Sequence, residues 1–229
     1  MNKQDVPVRN FSVEKAYAIQ NSLSKKVILQ NRLPRTIKTV AGIDVSYTDD
    51  LGVSAVAVLD YESLNPLETQ TAICKVKMPY VPTLLSFREM APAIVAIKKL
   101  EMKPDVFLVD AQGWAHPRRC GFASHLGLAL GKPTIGAAKT RLFGQPIENG
   151  RQTLLVDKTE VIGAEVTTEI NEKPIFVSVG HMVSLETAVE IVKRCSKRRI
   201  PEPILLAHKL ATRERDRLRL ESKVNIAEK

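Results

Sequence analysis

The sequence is poor in the residues that build disulfide frameworks and zinc sites. Its 229 residues include 3 cysteines and 4 histidines. Cys74, Cys120 and Cys195 lie far apart, and none of them belongs to a CxxC pair. An odd number of widely separated cysteines is typical of reduced thiols, so we expect free thiols in a cytoplasmic protein and no zinc framework.

Long apolar runs are also missing. No window approaches the roughly eighteen uninterrupted apolar residues that indicate a membrane-spanning helix. The N-terminal stretch MNKQDVPVRNFSVEK lacks the apolar region of a secretory signal peptide. We therefore expect a cytoplasmic protein that does not have a membrane as its partner.

Positive charge and apolar residues are abundant. The chain has 34 Lys and Arg residues against 25 Asp and Glu residues, a formal net charge of +9. Such a balance favours a polyanionic partner, nucleic acid before membrane. With 44% apolar residues, no internal repeat and no clear linker, the chain is expected to form a single domain over residues 1–229, as a monomer.

The order of elements predicts a mixed α/β fold. Three alternating, β-branched segments joined by short turns indicate antiparallel strands. A helix follows, in which Pro92 is expected to cause a kink or a restart, and then a strand buried on both faces. A helix from about Arg118 to Leu130 and further strands and helices complete the chain. The segments are, in order, TVAGIDVSYT, VSAVAVLDY, ETQTAICKVKM, LLSFREMAPAIVAIKKL, KPDVFLVD, TIGAAK, TLLVDK, VIGAEVTTE, PIFVSVG, SLETAVEIVKRCS and the basic segment after IPEP.

Two aspartates are candidates for a metal site. Asp44 lies inside the first strand, and Asp110 ends the fourth. In this strand order the two strands can be neighbours, so the carboxylates could converge, and a divalent cation would offset their repulsion. Carboxylate oxygens suit Mg²⁺ or Mn²⁺. The alternative is that Asp44 caps a bulge and Asp110 caps the next helix.

Glu89 is a third candidate acid. On a helix it shares an apolar line with Leu85, Ala93, Ala96 and Leu100. It is either an interior site group or a charge favoured near a helix start.

The stretch MPYVPT forms a stiff loop. Pro79 and Pro82 restrict the backbone on both sides of Tyr80 and Val81. Stiff apolar side chains are what proteins insert between stacked bases. The alternative is a tyrosine packed against the edge of the domain.

Taken together, the motifs resemble those of endonuclease V, a family of deoxyinosine-directed repair nucleases. The resemblance runs from about Thr39 to His208 and implies a ribonuclease H-like fold. It also implies Mg²⁺-dependent cleavage of DNA at the second phosphodiester bond on the 3′ side of hypoxanthine, leaving a 3′-hydroxyl and a 5′-phosphate. The matching motifs are GIDVSY, PYVPTLLSFRE, VDAQGWAHPRRCGFASHLG, AAKTRLFG, VSVGHMVSLETAVEIV and RIPEPILLAHKLA.

The resemblance assigns roles to individual residues. Asp44 and Asp110 match the metal ligands, Glu89 matches the third acid, and Lys139 matches the basic residue near the scissile phosphate. His208 matches a late position where some members have a site residue, although it could equally be a half-buried helix histidine. The wedge that fills the gap left by the lesion base corresponds to Pro79, Tyr80, Val81 and Pro82, and the base pocket to Leu85, Gly113, His116 and Gly121.

Two positions depart from the family's pattern, and several functions stay open. Ala111 and Thr83 stand where the family commonly has glycine. The first change could alter base selectivity, and the second could alter the flexibility of the loop. Arg118 and Arg119 could contact phosphates or be solvated.

The alternative functions of the protein are an endoribonuclease specific for inosine in RNA, a structure-specific nuclease that ignores the base, and a non-catalytic nucleic-acid-binding module. Acids that repel phosphate argue against the last.

Overall fold

The computed structural model describes residues 12–76, 78–150, 152–169 and 172–227. Its centre is a nine-stranded sheet with the strand order β3-β2-β1-β4-β5-β9-β8-β7-β6. The strands are β1 (Thr39–Thr48), β2 (Leu51–Asp60), β3 (Pro66–Lys75), β4 (Val106–Val109), β5 (Thr134–Ala138), β6 (Gln145–Asn149), β7 (Gln152–Asp157), β8 (Glu160–Val166) and β9 (Ile175–His181).

The sheet has the predicted mixed topology. Strands β1, β2 and β3 pair antiparallel, as their alternating pattern and short turns predict. Strands β1, β4 and β5 pair parallel, and β9 returns antiparallel to β5. This confirms the prediction of three antiparallel strands followed by parallel strands.

The helices cover both faces of the sheet. One hydrophobic cluster packs against α4 and α5, and a second packs against α2 and α3. Strand β1 contributes alternate residues to the two clusters, since Val40 belongs to the first and Ala41 to the second. The helices are α1 (Val13–Ser24), α2 (Leu85–Ile97), α3 (Phe122–Leu130), α4 (Leu185–Arg194) and α5 (Glu202–Ala227).

Helix α5 packs directly on β1 at a glycine. A Cβ on Gly42 would lie 2.0 Å from the backbone of Pro203, so a larger residue would push the start of α5 away from the sheet. The close approach matters for the site because α5 also carries His208.

Three features of the elements differ from the prediction. Helix α3 begins at Phe122 rather than near Arg118, because Arg119 has a φ of 52°, outside the right-handed helical region. Helix α2 continues through Pro92 and does not restart there. Strand β6 was not predicted, because its residues are all exposed and show no alternating apolar pattern.

Helix α1 was also missed from the sequence. Its N-terminus is capped by Ser12, whose hydroxyl accepts from the backbone N–H of Lys15 at 3.2 Å. Its buried residues are Ala16 and Gln20, so the buried side is too small and too polar to give a clear apolar stripe.

The cysteines form no disulfide in the structure. The three cysteines are free thiols, and burial raises the pKa of Cys120 and Cys195 to about 12. Over the described ranges, no helix has both the length and the apolar character needed to cross a membrane.

Candidate active site

The pairing of β1 with β4 brings Asp44 and Asp110 together. Ile43 pairs with Val109 in register, and the backbone N–H of Asp110 donates to the carbonyl of Ile43 at 3.1 Å. Each aspartate side chain is 12% exposed. The two carboxylates therefore lie side by side at one edge of the core, partly withdrawn from water.

Each carboxylate has a basic partner from another element. Nζ of Lys139, just after β5, donates to Oδ2 of Asp110 at 2.5 Å. Nδ1 of His208, on α5, lies 2.7 Å from Oδ2 of Asp44. Burial and the charge of Asp110 raise the pKa of Asp44, and the hydrogen bond to His208 partly opposes that shift.

Glu89 lies in the interior beside this pair. It is 7% exposed and accepts a hydrogen bond from the hydroxyl of Tyr47 at 3.1 Å. Burial raises its pKa to about 8, with further contributions from the charges of Asp44 and Asp110. Glu89 lies beyond the first turn of α2, which contains no acidic residue, so it is not a charge at the helix start.

The donor set fits a hard divalent cation. Over the described part of the chain, no three His, Cys, Asp or Glu side chains form a group able to hold a metal ion. Asp44 and Asp110 supply carboxylate oxygens whose negative charge is crowded and partly buried. Mg²⁺ is commonly held by one or two carboxylates, with water and substrate phosphates completing its shell. A two-carboxylate site is consistent with that pattern.

A cavity of about 400 Å³ opens next to Asp110. The sequence-predicted Leu85, His116 and Gly121 line it, and Tyr80 stands at its rim. Gly113 is not among the lining residues; a Cβ there would lie 2.2 Å from the carbonyl oxygen of Val179. The remaining lining comes from Thr83, Ser86, Asp110, Ala111, Gln112, Phe122, Ala138, Lys139, Thr140 and Leu142.

Ala111 and Gln112 have distinct places in this wall. Ala111 is 5% exposed and packs into the cluster under α2 and α3. Nε2 of Gln112 donates to the carbonyl of Thr140 at 2.9 Å, while its Oε1 is buried without a hydrogen-bond partner. Gln112 was not predicted as a wall residue from the sequence.

Residues 78–84, called the wedge loop below, project Tyr80 into solvent. Tyr80 is 67% exposed, which excludes a tyrosine packed against the domain edge. Pro79 and Pro82 are exposed as well. Val81 instead packs against the cluster that includes Ala16. The loop thus presents one aromatic side chain, rather than the two apolar side chains expected.

Arg118 and Arg119, which follow His116, bind other side chains of the protein. Arg119 forms ion pairs with Asp157 at 2.5 Å and Glu160 at 2.8 Å. Arg118 donates to Gln20 at 2.6 Å and also to Thr83. Neither arginine is a solvated surface charge of a helix, and sequence reasoning missed both sets of partners.

Arg199 was also missed and supports Lys139. Its guanidinium donates to the carbonyl of Lys139 at 2.9 Å and to the carbonyl of Lys173 at 2.8 Å. Arg199 therefore helps to hold the backbone of Lys139 in place.

His116 is held in one tautomer. Its Nδ1 accepts from the backbone N–H of Arg118 at 3.1 Å, so Nε2 carries the proton and donates to the carbonyl of Thr83 at 2.9 Å. The ring is 1% exposed, and burial lowers its pKa to about 4. His116 is thus neutral at physiological pH.

We expect this histidine to make stability depend on pH. Between the unfolded pKa of 6.5 and the folded value of about 4, the unfolded chain binds a proton that the folded protein does not. The free energy of unfolding should therefore fall as pH drops, by about 2 kcal/mol between pH 7 and pH 5. Urea titrations of wild type and His116→Gln measure the difference in slope. Equal slopes would show that His116 does not titrate in this way.

Comparison with known proteins gives a consistent result. The family model described as Endonuclease V matches residues 21–209. Endonuclease V of Thermofilum pendens is 44% identical over 207 residues, which cover 89% of this chain and 89% of the relative. The crystal structure of Endonuclease V from Streptomyces avermitilis has a TM-score of 0.85 at 37% identity, covering 91% of this chain and 95% of that chain.

A further solved structure contains nucleic acid. Endonuclease V of Ciona intestinalis, in complex with a 23mer DNA containing an inosine followed by a ribo-adenosine, has a TM-score of 0.82 at 34% identity. The match covers 91% of this chain and 100% of that chain. The ribonuclease H-like fold expected from the motifs is confirmed by these structures.

Proposed function

Because the chain belongs to the endonuclease V family, we propose that it is a Mg²⁺-dependent DNA repair endonuclease directed to deoxyinosine. It would hydrolyse the second phosphodiester bond on the 3′ side of the lesion and leave a 3′-hydroxyl and a 5′-phosphate. Mn²⁺ is an alternative cation. The inosine-containing DNA in the Ciona intestinalis structure supports this substrate.

One observation carries the proposal: Asp110, which the pairing of β1 with β4 places beside Asp44, lines the same cavity as Tyr80. A site for hydrolysis and a site for an extruded base are thereby next to each other. An enzyme that inspects a base closely must take it out of the stack. The cavity would receive the extruded base of a strand bound at Asp110, and the exposed Tyr80 would fill the gap in the stack.

In the proposed reaction, Asp44 and Asp110 hold the cation. When bound, Mg²⁺ would polarise the scissile phosphate and lower the pKa of a water molecule. Lys139 orients Asp110 through its 2.5 Å contact and brings positive charge toward the phosphate. Glu89 is buried beside this pair, where burial raises its pKa, and the Tyr47 hydroxyl orients its carboxylate.

The cavity wall supports base selectivity. Hypoxanthine differs from guanine by lacking the exocyclic amine, and a closely fitting wall excludes guanine when that amine finds no partner. The wall is mostly apolar next to Leu85, Phe122 and Leu142. The methyl group of Ala111 faces the core as well as the wall, so the departure from glycine is accommodated by packing.

The proposed activity is tested by cleavage of DNA and RNA strands that carry one inosine, single or duplexed, with guanosine controls. With Mg²⁺ we expect a nick near inosine in DNA at least about tenfold faster than near guanosine, and no nick in EDTA. The position of the nick is read from product lengths on a sequencing gel.

The alternatives give different patterns in the same lanes. Faster cutting of RNA would indicate an inosine-specific endoribonuclease. Cutting that ignores the base would indicate a structure-specific nuclease. Binding without cutting in any lane would indicate a non-catalytic nucleic-acid-binding module.

A further inference from the structure

The C-terminal end of the wedge loop is held in a strained conformation. Thr83 has a φ of 70°, in the left-handed region that β-branched residues rarely adopt. Such a conformation persists where surrounding contacts over-determine it. The contacts of Thr83 therefore hold this end of the wedge loop in its backbone conformation.

Those contacts come from two other segments of the chain. The carbonyl of Thr83 accepts from Nε2 of Gln20 at 2.8 Å and from Nε2 of His116 at 2.9 Å. The hydroxyl of Thr83 accepts from the guanidinium of Arg118. Helix α1 and the loop after β4 thus both form hydrogen bonds with Thr83.

Gln20 and Arg118 are also joined to each other. Nε of Arg118 donates to Oε1 of Gln20 at 2.6 Å, and Nε2 of Gln20 also donates to the carbonyl of Cys120 at 3.1 Å. Gln20 is fully buried, and the Arg118 guanidinium lies 3.7 Å from the centre of the Tyr17 ring. A buried polar network with its members satisfied is rigid, and it is specific in geometry.

We propose that Thr83, Arg118 and Gln20 are positioning residues that pre-organise the wedge loop for the lesion. The inference rests on the proposed function. A loop already fixed before binding loses little conformational freedom when Tyr80 engages DNA, so affinity for the lesion complex is gained. The Thr83 hydroxyl supplies a tether to Arg118 that a glycine at this position cannot supply.

Removing the hydroxyl without changing the side-chain shape isolates this tether. Thr83→Val keeps the β-branch and its backbone strain, whereas Thr83→Ser keeps the hydroxyl. In single-turnover cleavage with Mg²⁺, we expect Thr83→Val to raise the half-saturating protein concentration for inosine DNA about tenfold, with the maximal rate retained. Thr83→Ser should stay within about twofold of wild type.

Two further measurements separate positioning from general damage. Unmodified duplex added as a competitor should inhibit wild type and Thr83→Val equally, because it does not require an inserted wedge. Hydrogen exchange at the amides of the wedge loop should be faster in Thr83→Val, with the rest of the protein unchanged. Thr69→Val, at an exposed position on β3, is the matched control and should change neither quantity.

Coupling between the two residues is tested with Arg118→Lys, which keeps the charge. The double variant Thr83→Val with Arg118→Lys should be no weaker than Arg118→Lys alone, because both changes remove the same contact. If the fold-losses of the two single variants multiplied in the double variant, the two residues would not act through one contact. The inference would also be wrong if the wild type preferred inosine DNA and Thr83→Val had the same half-saturating concentration. It would be wrong as well if Thr83→Val lost affinity for unmodified DNA to the same extent as for inosine DNA. A wild type without inosine preference would instead overturn the proposed function, and this inference with it.

Discussion

Asp44→Asn is expected to abolish cleavage of inosine DNA while leaving DNA binding and folding intact. The substitution removes one of the two carboxylates that border the site and keeps the side-chain shape. A divalent cation contributes several kcal/mol to stabilising the charge of the transition state, and about 4 kcal/mol corresponds to about a thousandfold in rate. We therefore expect single-turnover cleavage to slow by at least about a thousandfold.

Stability provides the second half of this prediction. Burial and Asp110 raise the folded-state pKa of Asp44, so its charged form destabilises the fold above the unfolded pKa. The neutral Asn should leave the free energy of unfolding at pH 7 unchanged or raise it slightly, even though the contact with His208 is altered. Urea titrations measure this quantity, and a large loss of stability would mean that Asp44 is a structural residue.

A nearby acid serves as the control. Asp50 lies in the exposed turn between β1 and β2, and Asp50→Asn removes the same charge from the chain. It should cleave at the wild-type rate. If Asp44→Asn cleaved inosine DNA at the wild-type rate, the hydrolytic role of Asp44 would be wrong.

Tyr80→Ala is expected to lower affinity for inosine DNA about tenfold to a hundredfold. An aromatic side chain stacked on a base contributes about 1–3 kcal/mol, and Tyr80 is exposed at the rim of the cavity. Affinity for an unmodified duplex should change little, because that complex has no gap to fill. Fluorescence anisotropy with the two duplexes measures both affinities.

Matched variants show whether the effect belongs to the aromatic ring. Tyr80→Phe retains the stacking surface and should bind like wild type. Leu67→Ala removes a similarly exposed apolar side chain from the edge strand β3 and should have no effect on either duplex. An unchanged inosine affinity in Tyr80→Ala would make the wedge loop an ordinary surface loop.

The local patterns predicted much of the sheet and the two aspartates. The β-branched segments of β1, β2 and β3 favour extended strands, and successive side chains of a strand point to opposite faces, so these strands can be recognised from neighbouring residues. The apolar run of β4 ends at Asp110, and the strand order allowed β1 and β4 to be neighbours. The parallel pairing of these strands confirms that they are neighbours.

The elements that escaped prediction lack such a pattern. Helix α1 buries Gln20, whose partners are Thr83, Cys120 and Arg118. A buried glutamine looks like a surface residue in a sequence, because its burial is stabilised by groups far along the chain. For the same reason, Arg118 and Arg119 looked like solvated charges or phosphate contacts.

By itself, the sequence determined the fold class, the mixed sheet and the candidate site residues that match the motifs of the family. Tertiary structure alone decided that Glu89 is buried beside Tyr47, that His208 reaches Asp44 and that α1 grips the wedge loop. These contacts join residues separated by 42, 164 and 63 positions, respectively. Their energies depend on burial and on the geometry of hydrogen bonds, and both are set only when distant segments meet in the folded protein.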